Sequence, residues 1–170
     1  MSAPRRITAG PRAARLRGGL LVTLVLASCG REGDGRACAP VQREALDPAY
    51  LVHVVGTDTA VEYATDPPTS GPHQSGPAIE GVLDEPLTRP VQVGILERGD
   101  VVIQHDPALA ADDLEALRGL AAERVVIAPN PDLPDTVVAT AWVHKLACSA
   151  VDAAALRGFV EDRAGKGPEG

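Results

Sequence analysis

The sequence predicts an α+β domain: a single domain with a mixed β-sheet and two main helices packed on it. Three observations predict it. Short apolar runs are closed by glycine or proline, two stretches carry helical spacing, and the links between them are short. Hydrophobic residues make up 45% of the 170 positions but aromatics only 2%, so the core must be built from Val, Leu, Ile and Ala.

Taken in order, residues 50–56 (YLVHVVG) read as a short strand ended by glycine, and residues 61–64 as a second. Residues 66–73 (DPPTSGPH) exclude helix and central strand, because three prolines remove backbone donors. They form an ordered rigid loop or a disordered one. Residues 91–96 (VQVGIL) and 101–105 (VVIQH) read as strands. A helix follows from about Asp112, with Glu115 at capping-box distance and Leu114, Leu117, Leu120 and Ala121 on its apolar side. Residues 125–128 and 136–143 read as strands. The last helix starts at Asp152, with Val151 and Leu156 as a hydrophobic staple, buries Leu156, Phe159 and Val160, and stops at Gly165.

Ahead of this domain, five arginines precede the apolar residues 20–27, and Leu26-Ala27-Ser28-Cys29 follows. A basic stretch, a short apolar run and small residues before a cut form a secretory signal. The run is shorter than the roughly 20 residues of a membrane span. The last four residues resemble the lipobox of bacterial lipoproteins, which implies lipidation at Cys29; the alternative is an ordinary signal peptide with Cys29 a plain thiol. The organisation expected is a signal peptide over 1–28, a flexible tether over 29–45, the domain over 46–166 and a tail over 167–170. The localisation expected is the bacterial cell envelope, with a lipid anchor in the membrane and the domain facing periplasm or exterior.

The chain has 16 basic and 23 acidic residues. Without the five arginines before Cys29, 11 basic residues face 23 acidic ones, a net of −12. That excludes a phosphate-binding footprint, and with few aromatics to stack bases no nucleic-acid partner is expected. If Cys29 carries lipid, Cys38 and Cys148 remain as an even pair in an oxidising compartment and are expected to form a disulfide.

Residues 63–73 (YATDPPTSGPH), His53, residues 96–99 (LERG), residues 140–142 (TAW) and residues 165–169 (GKGPE) together resemble a bacterial envelope family catalogued as domain of unknown function 3105 (DUF3105). The run Pro67, Pro68, Thr69, Ser70, Gly71, Pro72 and His73 is its specific signature. The resemblance implies several histidines near the signature and, with them, a metal site, since neutral imidazole is a common ligand of transition metals. The chain departs from the family where Gly94 and Arg98 stand in place of histidines. The candidate ligands for copper or zinc are His53, His73 and Glu97, with His105 as a fourth candidate; the other reading is a structural His73 bonded to its own loop. Arg98 is expected to pair with Asp100 or another nearby acid. Ser70 lacks a nucleophile elbow around it, so no catalytic residue is expected. The expected function is a non-catalytic binding or interaction module with no identified protein partner, or alternatively a periplasmic metal-binding protein.

Overall fold

The structure is a computed structural model, and it describes residues 36–56 and 61–170. The signal peptide and Cys29 lie outside the described residues. Within them the elements run β1 (Gln42–Arg43), β2 (Gly81–Val82), α1 (Arg89–Glu97), β3 (Val101–His105), α2 (Ala111–Arg118), β4 (Val125–Pro129), β5 (Val137–Ala141), β6 (His144–Cys148) and α3 (Ala153–Arg163). The strands form one mixed sheet ordered β1-β6-β5-β3-β4-β2. The α+β class with a single mixed sheet is therefore as expected.

The parallel pair β3–β4 starts with Val101 opposite Val125, and β5 lies antiparallel to β3. Every residue of β3 and β5 is buried. Strands buried on both faces read as continuous apolar runs, which is why these were visible in the sequence. Alternation then sorts their side chains. Val101, Ile103, Val125, Ile127, Val137 and Ala139 pack with Leu117, Leu156 and Phe159 on the face of α2 and α3. Val102 and Val126 pack with Ile95 and Leu96 of α1 on the other.

α1 overturns an expectation. Residues 91–96 alternate V-x-V-x-I and were expected as a strand, but they are helical. Pro90 sits at the helix start, where a missing N–H costs nothing, and Gln92, Val93, Gly94, Ile95, Leu96 and Glu97 are all buried. A helix covered on most sides loses the polar stripe that marks its period, and tertiary packing overrides the β preference of Val and Ile. The strand expected over 50–56 is reduced to one bridge, His53 to His73, with Leu51 and Val55 exposed. Residues 61–64 form no strand.

The strand expected over 136–143 ends at Ala141, and the chain turns through Trp142 and Val143 into β6. α2 begins at Ala111 with Ala110 as an N-cap that makes no side-chain bond, so Asp112 lies in the first turn. α3 is capped as expected: Asp152 Oδ1 accepts from Ala155 N–H at 3.0 Å. Cys38 and Cys148 form the disulfide. Of the expected tether, residues 37–45 are tied to the sheet: β1 pairs with β6, and Ala39 N–H donates to the Ala147 carbonyl at 2.9 Å. Among the described residues no helix is long and apolar enough to cross a membrane.

Candidate metal centre

The signature loop is ordered and largely buried, with Thr69 2% and Ser70 5% exposed. Its position follows from polar groups reaching it from four sides. Gln92 of α1, itself buried, donates from Nε2 to the Pro68 carbonyl at 3.1 Å. The Thr69 carbonyl accepts from Val143 N–H at 3.0 Å, and the Thr69 hydroxyl donates to Glu44 Oε2 at 2.9 Å. Tyr63 OH donates to the Pro72 carbonyl at 2.6 Å. Burial pushes the Tyr63 phenol up to about 12, so it remains a donor at any ordinary pH. Gly71 has φ +129°, a conformation that favours glycine, and a Cβ there would press on the Tyr63 ring at 3.1 Å.

The loop delivers His73 to the end of α1. His73 is fully buried, and its Nδ1 lies 3.2 Å from the Gly71 carbonyl. A carbonyl accepts and cannot donate, so Nδ1 carries a proton toward Gly71 and Nε2 is the nitrogen turned to Glu97. Nε2 lies 2.6 Å from Glu97 Oε2 at the last residue of α1. The carboxylate oxygen is off the line a hydrogen bond requires, so Nε2 is a buried nitrogen without one.

His53 completes the group. Val54 N–H donates to the His73 carbonyl at 2.8 Å and His73 N–H to the Val52 carbonyl at 3.0 Å, which sets the two histidines side by side. Their rings meet edge to face with centroids 4.5 Å apart. One ligand atom from each of His53, His73 and Glu97 lies within 4.8 Å of the other two. His53 is exposed and the other two are buried, so the group opens to solvent on the His53 side.

The remaining candidates lie elsewhere. His105 does not join the group; its Nδ1 is 2.9 Å from the Asp106 carbonyl. His144 Nδ1 is 2.8 Å from the Trp142 carbonyl. Arg98 pairs with Asp100 at 3.1 Å, the structural role the sequence suggested. Ser70 Oγ accepts from Asp47 N–H at 3.0 Å, as a turn residue rather than a nucleophile. Trp142 is half-buried, and Tyr50 meets it edge to face at 6.3 Å.

Gln92 and Glu44 position the site but escaped the sequence reading, because a lone Gln and a lone Glu carry no spacing signal. A second omission is the C-terminal end. Gly165 N–H donates to the Gly99 carbonyl at 2.7 Å and Glu169 N–H to the Glu97 carbonyl at 3.1 Å. Residues 167–170 are thus docked behind Glu97.

A family model described as "Protein of unknown function (DUF3105)" matches residues 54–170. No curated protein and no solved structure matches the chain.

Proposed function

The chain belongs to the DUF3105 family, whose function is unknown, and from the geometry of His53, His73 and Glu97 we propose that it is a non-catalytic binding module whose ligand is one zinc or copper ion. One observation carries this reading. His73 Nε2 and Glu97 Oε2 face each other at 2.6 Å inside the protein, and Nε2 has no aligned hydrogen bond. With Nε2 unprotonated neither donates to the other, so the contact calls for a cation between them, either a proton or a metal ion. The bond from Nδ1 to the Gly71 carbonyl is the arrangement that orients a metal-ligating histidine and fixes its tautomer.

Two imidazoles and a carboxylate suit Zn²⁺ or Cu²⁺; without a sulfur donor the set does not suit Cu⁺. A tetrahedral ion needs ligand atoms about 3.3 Å apart. Binding would therefore require His53 to close in and Glu97 to back away. Three protein ligands leave a fourth position open on the exposed side. The setting proposed is the cell envelope, anchored through lipid on Cys29; the disulfide supports an oxidising compartment.

The experiment is metal analysis of the full chain purified in detergent, before and after titration with zinc and with copper. One ion per chain is expected, with micromolar or tighter affinity, and His73→Ala should abolish uptake. If a well-folded preparation takes up neither metal, the reading is wrong and a proton occupies the His73–Glu97 contact.

A further inference from the structure

Residues 38–54 form a strap across the β5–β6 hairpin and the signature loop, with the disulfide at one end and His53 at the other. At its start Ser149 N–H donates to the Ala37 carbonyl at 2.8 Å. Further on, Glu44 N–H donates to the Val143 carbonyl at 2.9 Å, and its carboxylate meets Lys145 Nζ at 3.0 Å. Asp47 N–H reaches Ser70 Oγ. The strap ends in the two backbone bonds that pair residues 52–54 with His73.

The two cysteines are unequally placed. Cys148 is 1% exposed, inside the core cluster of α2 and α3. Cys38 is half-buried and lines a cavity of about 290 Å³ together with Ala39, Asp135, Ala147 and Ser149. A thiolate approaching from that cavity meets Cys38 first.

We propose that the Cys38–Cys148 bond is a redox-exchangeable clasp, opened at Cys38 by a dithiol oxidoreductase, and that opening it lowers metal affinity by freeing the strap that carries His53. This inference rests on the metal reading above. In the exchange, a thiolate of the partner attacks Cys38 Sγ, the S–S bond breaks, and Cys148 leaves as a thiolate that takes a proton. The partner's second thiol then resolves the mixed disulfide. Cys38 and Cys148 end as thiols, and the partner ends as its own disulfide.

The coupling to the site follows from how each ligand is held. His73 is anchored by burial and by Gly71, and Glu97 by α1 and the C-terminal end. The strap adds to the hold on His73, through Val52, Val54, Glu44 and Asp47, but these anchors remain without it. His53 is part of it. Beyond the bridge at Cys38 itself, the strap pairs with β6 through β1, which has two residues, both exposed. Opening the clasp removes the covalent closure, so His53 exchanges between a docked and an undocked position and the site falls from three protein ligands toward two.

The test compares the full chain in detergent in its disulfide form, after reduction by a thioredoxin-type dithiol protein, and as Cys38→Ser/Cys148→Ser. Zinc affinity is read by competition with a chromophoric chelator, and amide hydrogen exchange is read in parallel without metal. Expected are an affinity at least tenfold weaker in the reduced and double-variant forms, and lost protection at Val54 and His73 with β3 and β4 amides still protected. Equal zinc affinity in all three forms overturns the coupling and leaves the metal reading standing. Absence of both zinc and copper binding in the disulfide form overturns the metal reading, and unchanged exchange at Val54 and His73 then overturns the clasp independently. Loss of protection throughout β3 and β4 also overturns it, since the bond would then hold the whole fold. A disulfide that the dithiol protein leaves intact in the folded chain overturns the exchange step.

Discussion

At Gly94 the packing leaves no room for a side chain: a Cβ would lie 2.3 Å from the Gln74 carbonyl oxygen. The histidine that the family resemblance leads one to expect at this position therefore cannot be introduced by substitution alone. Gly94→His is expected to destabilise the fold by about 1–3 kcal/mol, the usual cost of overfilling a packed interior. The urea midpoint should fall and zinc stoichiometry should stay at one per chain. A variant as stable as the parent that binds a second ion would show that the segment at Gln74 yields. Arg98, the other departure, is tied instead to Asp100, and Arg124 Nη1 donates to its carbonyl at 3.0 Å. The loop before β3 is thus held by charge. At this scale His53, His73 and Glu97 were legible because imidazole and carboxylate advertise their chemistry. Gln92 was not: its amide acts through where it is buried, and nothing in the residues around it in sequence encodes that.

Among the elements, those legible in the sequence were β3, β4, β5 and both α2 and α3, each with an uninterrupted apolar run or a helical stripe. Two failures have physical causes. α1 is buried on nearly every side, so its pattern is that of a buried strand. The β5–β6 turn places Val143 at φ +52°, where β-branched residues are rarely found, so no turn signal marked it. The conformation is held by its neighbours, since Val143 N–H donates to Thr69 and its carbonyl accepts from Glu44. Glu44 gives the strap a pH dependence. Burial raises its carboxyl pKa, but hydrogen bonds from Thr65, Lys145 and Thr69 and the Lys145 charge outweigh that and hold it below the ordinary 4.5. A lowered folded value means that the charged form stabilises the fold. The contribution is complete above pH 4.5, the unfolded value, and is lost as pH falls through the folded one. Thermal melts of the parent and Glu44→Gln should therefore differ most near neutrality and converge in acid. A gap that stays constant with pH would mean that the carboxylate charge is not what holds the strap.

Over the whole molecule, residues distant in sequence converge on one end of α1, and the sequence shows this only as scattered motifs. The LERG and GKGPE segments resembled the family separately; the structure shows that they are one contact. Gly167 sits so close to the α1–β3 turn that a Cβ would fall 2.3 Å from both the Glu97 carbonyl oxygen and Gly99 N. Gly99 itself has φ +86°. The crowded atoms are backbone and cannot rotate away, so Gly167→Ala must push residues 167–170 off the turn. That removes the bond from Glu169 N–H to the Glu97 carbonyl and loosens the C-terminal end of α1, where Glu97 holds its carboxylate against His73. Lys166→Ala, at an exposed neighbour, is the matched control. The expected outcome is a Gly167→Ala chain that melts lower and binds zinc several-fold more weakly, beside a Lys166→Ala chain that does neither. If Gly167→Ala lowers the melting point but leaves zinc affinity unchanged, the C-terminal end supports the fold without positioning Glu97. Its resemblance to the family then reflects packing rather than the site.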